Sequence, residues 1–112
     1  MSKVEVNNDG PIKTITLNRP EKRNALDREM LDSLYEIFSE KVSVDARAIV
    51  LRGNGPSFCA GIDLAERQRQ HSTGAISPVE KVFHAMAMNP LPIGSIVQGA
   101  AIDGGCEVAL HS

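Results

Sequence analysis

Hydrophobic and polar positions alternate at the start of the chain. Val4 and Val6 are separated by polar residues, Asn8-Asp9-Gly10 supplies turn chemistry, and Ile12 to Leu17 resumes the strand-like run. This pattern predicts a β-hairpin. Pro20 has no backbone N–H and disfavours helical geometry at Arg19, so Asn18-Arg19-Pro20 is expected to end the second strand. Beyond Asp27, a plausible N-cap, Met30, Leu31, Leu34, Ile37 and Phe38 recur at helical spacing. That helix is expected to reach about Lys41. Ala48 to Leu51 is a short continuous apolar run, the signature of a strand covered on both faces in a parallel sheet.

A second helix is announced at Ser77-Pro78-Val79-Glu80. Ser77 can cap, Pro78 suits the first helical position, and Glu80 can close a capping box. Val79, Val82, Phe83 and Met86 form its apolar stripe, and Asn89-Pro90 ends it. Residues 65–76 are polar and read as a mobile connection, with part of a helix possible. Ile93 to Gln98 predicts another strand, followed by Gly99, the Gly104-Gly105 pair and a helix opening at Glu107-Val108-Ala109-Leu110. The order β, β, α, β, α, β and a further α is an α/β arrangement. A chain that reaches Ser112 inside a helix is expected to be a fragment of a larger unit.

Composition narrows the classes. With 112 residues, 42% hydrophobic and 23% charged, the chain can bury a core and is not a disordered tail. Three Phe, one Tyr and no Trp make that core aliphatic. The net charge of −2 argues against a general nucleic-acid binder. Cys59 and Cys106 lack metal or redox spacing and read as reduced, packed thiols; no metal site is expected. The first residues have no apolar h-region and no apolar run reaches membrane-spanning length, so no secretory signal and a cytoplasmic location are expected, with an organellar matrix also open.

Two features carry candidate chemistry. Between Arg19 and Arg28, the cations Arg19, Lys22, Arg23 and Arg28 outnumber the anions Glu21 and Asp27. This is either a solvated loop and helix start or a patch for a small anionic ligand. Two glycine-containing turns, Ser57 to Leu64 and Gly99 to Glu107, follow strands whose ends would share one edge of a parallel sheet. Ligands bind at that edge in open α/β folds, and small residues expose backbone N–H donors there. Packing turns are the alternative reading. Gly53 and Gly55 begin a dinucleotide-type glycine pattern, but Phe58 occupies its last position, so that match fails.

The segments "NRPEKRNAL" (Asn18 to Leu26), "FCAGIDL" (Phe58 to Leu64) and "GAAIDGGCEVAL" (Gly99 to Leu110) stand in the order and spacing of the crotonase, or enoyl-CoA hydratase/isomerase, family. The resemblance covers nearly the whole chain. It implies residues 1–112 as the N-terminal part of a single crotonase-like domain, an incomplete ββα-superhelix core. It implies an acyl-CoA thioester as substrate, with coenzyme A part of that substrate and no separate cofactor. The backbone N–H groups of Ala60 and Gly104 match the family's oxyanion hole, which would hold the thioester oxygen as it becomes an enolate. Glu107 matches one of two glutamates that add water to the double bond. Without the resemblance, Glu107 reads as a helix first-turn acid stabilised by the dipole. Ala60, Gly61, Ile62 and Asp63 resemble the adenine and thioester contact segment. Lys22, Arg23 and Ala25 lie in the loop that resembles the coenzyme A contact.

The chain also departs from the family pattern. The second family glutamate would fall beyond Ser112, so two-glutamate hydration is not expected of these residues alone. Asp103 replaces a frequent glycine. Isomerisation, with the oxyanion hole kept and the acid/base moved, and a non-catalytic CoA-binding or assembly role are the alternatives. Full-length relatives are expected to be homotrimers or hexamers. No nucleic-acid or membrane partner is expected.

Overall fold

The computed structural model describes residues 3–40, 45–56, 58–59, 61 and 77–96. Strand β1 (Val4–Asp9) pairs antiparallel with β2 (Ile12–Leu17), with Asp9 opposite Ile12. The strand therefore runs through the Asn8-Asp9 expected in the turn, and the connection is the two residues Gly10-Pro11. Gly10 at φ 60° makes so short a reversal possible.

Asn18 leads into a single 3-10 turn, Pro20–Lys22, and then helix α1 (Arg28–Ser39). Asp27 caps α1 by accepting a hydrogen bond from the Met30 N–H at 2.9 Å. The helix stops before the expected Lys41 because Glu40 turns extended, its N–H held by the Ile37 carbonyl. Met30, Leu31, Leu34 and Phe38 are buried, with Ile37 packed beside them, as their spacing predicts.

Strand β3 (Ala48–Gly53) lies parallel to β2, from Ile12 opposite Ala48 to Leu17 opposite Gly53. Helix α2 (Pro78–Met88) follows, its first turn capped by the Ser77 hydroxyl accepting from the Glu80 N–H at 3.1 Å. Asn89 closes it, and its side-chain amide donates to the Phe38 carbonyl at 3.1 Å, fastening the end of α2 to α1. Strand β4 (Ile93–Ile96) then lies parallel to β3. The expected strand residues Val97 and Gln98, the 65–76 connection and the helix opening at Glu107 lie outside the described residues.

The four strands stand in the order β1-β2-β3-β4. Ile15, Leu17, Ile49 and Leu51 point to one face and are buried with the apolar stripes of α1 and α2. The sequence reading of β3 as covered on both faces is corrected here. Its burial alternates, with Ala48 and Val50 only half-buried. A parallel strand is sheltered by its neighbours on both edges, yet among the described residues both helices pack on the same side of the sheet.

Candidate functional site

The parallel strands deliver their C-terminal ends to one edge. Leu17 is opposite Gly53, and Arg52 is opposite Ile96, so β2, β3 and β4 all finish side by side. Two loops that carry sequence motifs meet there. The Asn54 N–H donates to the Leu17 carbonyl at 2.8 Å, and the Asn54 side chain donates to Asn18 Oδ1 at 2.8 Å. The loop after β3 is thus tied to the start of the loop after β2.

A further tie is Asn24, a buried polar side chain with no exposed surface. Its Oδ1 accepts from the Arg19 N–H at 2.8 Å. Its Nδ2 donates to the carbonyls of Asn54 at 2.9 Å and Phe58 at 3.2 Å. Arg23 and Asn24 have φ of 53° and 58°. Asparagine tolerates this left-handed conformation better than most residues. Two residues on, the Leu26 N–H donates to the Gly61 carbonyl at 2.8 Å. Gly61 is buried at φ 100°, a conformation that glycine adopts at least cost. Gly55, at φ 89°, passes so close to Pro20 that an added Cβ would sit 2.9 Å from the proline Cβ.

The positive patch resolves into two kinds of cation. Arg19 turns inward, donating to the Ala25 carbonyl at 3.1 Å and lying 3.6 Å from Asp27. Arg28 pairs with Asp32 at 3.0 Å along α1. Lys22 and Arg23 are exposed, and Ala25 is half-buried. Burial pushes the Asp27 carboxyl up, but the hydrogen bonds from Lys3 and the Met30 N–H, with the charges of Lys3 and Arg19, outweigh it and leave the pKa below its ordinary value. Cys59 is fully buried, with Sγ 4.0 Å from the Gly61 carbonyl. Desolvation raises its thiol to about 11, so it stays protonated and packs as an apolar group.

Of the residues expected in the site, Lys22, Arg23, Ala25 and Gly61 are brought to this edge. Ala60, Ile62, Asp63, Gly104 and Glu107 lie outside the described residues. The sequence reading passed over Asn24 and Arg19 as structural groups. An asparagine directly after two cations and before an Ala-Leu pair gives no helical or strand periodicity to flag it; its tolerance of positive φ is the signal that was available. A cavity of about 280 Å³ between α1 and α2, lined by Tyr35, Phe38, His84 and Met88, opens where α1 ends and α2 leads back to β4. It therefore lies at the opposite end of the sheet from the loops. Among the described residues no group of side chains could hold a metal ion, and no helix is long and apolar enough to cross a membrane.

The fold is a mixed α/β sheet with two motif-bearing loops tied together at one edge, and comparison with known proteins gives it a family. Residues 7–112 match the enoyl-CoA hydratase/isomerase family model, and the chain belongs to that family. It is 36% identical over 100 residues to a Mycobacterium bovis protein named "Probable enoyl-CoA hydratase echA6", covering 88% of this chain and 40% of the relative. It is 32% identical over 108 residues to the enoyl-CoA isomerase/hydratase fer4 of Mycosarcoma maydis, covering 86% of this chain and 39% of the relative. The chain thus spans about two fifths of the length of these relatives. Among solved structures, a candidate enoyl-CoA hydratase of Thermobifida fusca YX, in complex with acetoacetyl-CoA, superposes with a TM-score of 0.78 at 26% identity. That match covers 97% of this chain and 48% of the neighbour. The architecture is the crotonase fold, present as an incomplete core.

Proposed function

We propose that this chain supplies the thioester-binding part of an enoyl-CoA hydratase-type site. In this reading the backbone N–H groups of Ala60 and Gly104 hold the acyl carbonyl oxygen and stabilise the enolate that forms as water adds to the neighbouring double bond. Two donors aimed at one developing oxyanion, in a site that excludes water, contribute several kcal/mol to the transition state. Glu107 acts as one acid/base on the water, and no side-chain carboxylate follows it in these residues to act as a second. Lys22 and Arg23, the two exposed cations of the loop, face the coenzyme A phosphates.

The observation that carries the reading is the convergence of the strand ends. Phe58 and Gly61, which flank Ala60, are held at the edge where β4 finishes, and the second motif follows β4 in sequence. The acetoacetyl-CoA complex of the Thermobifida fusca neighbour supports an acyl-CoA ligand. The fer4 relative, named for both reactions, keeps isomerisation as the second reading, with the same oxyanion hole and a relocated base.

Calorimetric titration of the chain with acetoacetyl-CoA tests the proposal. Binding is expected, and Ala60→Pro, which deletes one donor, should weaken it by about tenfold or more. Equal binding by both proteins would sink the two-amide reading. The 112-residue chain alone should show no measurable hydration of a short enoyl-CoA, and turnover near that of a full-length relative would refute the need for a second acid/base besides Glu107.

A further inference from the structure

The hydrogen bonds around Asn24 place a clamp on both sides of the proposed donor. On one side, the Phe58 carbonyl accepts from Asn24 Nδ2 at 3.2 Å. On the other, the Gly61 carbonyl accepts from the Leu26 N–H at 2.8 Å. Both donors belong to the same loop and lie two residues apart. The Asn24 amide is used in full: one carbonyl oxygen facing a backbone N–H, and both N–H donors facing backbone carbonyls. Only this orientation satisfies all three partners, so the network itself fixes which end of the amide points where. The side chain has no exposed surface, so water cannot replace it without a cost in desolvated carbonyls.

We propose that Asn24 is a positioning residue for the oxyanion donor of the 58–61 segment. Through Nδ2 it fixes the Phe58 end of the segment while its own loop, through Leu26, fixes the Gly61 end. The 18–26 loop then has a role distinct from contacting a coenzyme A phosphate: it presets the main chain that meets the acyl oxygen. A preset donor needs no reorganisation when the oxygen arrives, and a displacement of about 1 Å in such a group is enough to cost as much as a hundredfold. This inference rests on the functional reading above for the identity of the donor, but the clamp itself does not.

Two substitutions separate its parts. Asn24→Asp keeps the shape and the acceptor toward Arg19 but replaces both donors with a carboxylate oxygen facing two carbonyls. Asn24→Gly loses the side chain yet is at ease at φ 58°, so it removes the bonds without straining the backbone. Backbone ¹⁵N relaxation of the unliganded chain is the first readout. In both variants Cys59 and Gly61 should lose order while Leu51 in β3 and Leu34 in α1 keep theirs. Titration is the second: both variants should bind acetoacetyl-CoA about tenfold or more weakly, and binding of free CoA, which lacks the acyl oxygen, should be weakened by less. Unchanged order at Cys59 and Gly61, or equal weakening of the two ligands, would overturn the proposal. So would an Asp variant that behaves as the parent, because the Arg19 bond alone would then suffice. If the parent chain does not bind acetoacetyl-CoA, the functional reading fails and the relaxation experiment alone decides whether the clamp exists.

Discussion

The helix-covered face of the sheet and its loop-bearing edge are built by different physics. Under the helices, Ile15, Leu17, Leu31, Leu34, Ile49 and Leu51 exclude water together. Their attraction is non-directional and scales with buried area, so shape and volume matter more than identity. At the edge, Asn24, Gly55, Gly61 and Asp27 each hold a specific backbone group or conformation. Directional bonds to buried carbonyls have no apolar substitute, because an unmet carbonyl keeps its desolvation cost. One region sets stability; the other sets where a few peptide groups sit.

Phe58 belongs to both regions and gives the largest expected effect. Its ring is fully buried in the core, and its carbonyl receives Asn24. Phe58→Ala should cost about 3–5 kcal/mol in urea unfolding, whereas the volume-conserving Leu31→Met should cost less than about 1.5. Similar losses from the two would break the distinction drawn here.

Gly55→Ala tests the edge without touching the core. Both the φ of 89° and the 2.9 Å approach to Pro20 oppose a side chain, and a loss of about 1–2 kcal/mol is expected by the same denaturation. No loss would mean that the loop relaxes away from Pro20 at little cost.

The smallest effect is at Asp27, where the helix layer joins the edge. Asp27→Ala removes the cap on Met30 and the 2.6 Å ion pair with Lys3, and should cost about 1 kcal/mol. The folded carboxyl pKa lies below the ordinary 3.8, so the folded state favours the ionised form. The advantage of the parent over the variant is therefore fully present above that value and disappears as pH falls through the depressed folded pKa. Thermal melts across acidic pH check the sign; a difference that grew on acidification would contradict it.

The elements were legible because their signals are local. Asp27 and Ser77 cap as their positions predict, and the apolar stripes of α1 and α2 find the core. The β1–β2 turn was misplaced by two residues because Asn8 and Asp9 carry turn propensity but pair with Lys13 and Ile12. The candidate site was legible only as motif segments whose order resembles a family. Asn24 escaped the reading because its partners, Arg19, Asn54 and Phe58, come from different stretches of chain.

By itself, then, the sequence determined the kinds of element, their caps and the family, since periodicity and motif spacing are properties of neighbours along the chain. The tertiary structure alone decided that α1 and α2 cover one face, that Arg19 turns inward while Lys22 and Arg23 stay exposed, and that a buried asparagine joins two loops. Those outcomes depend on which backbone carbonyls meet once the parallel strands align, and no local pattern records that.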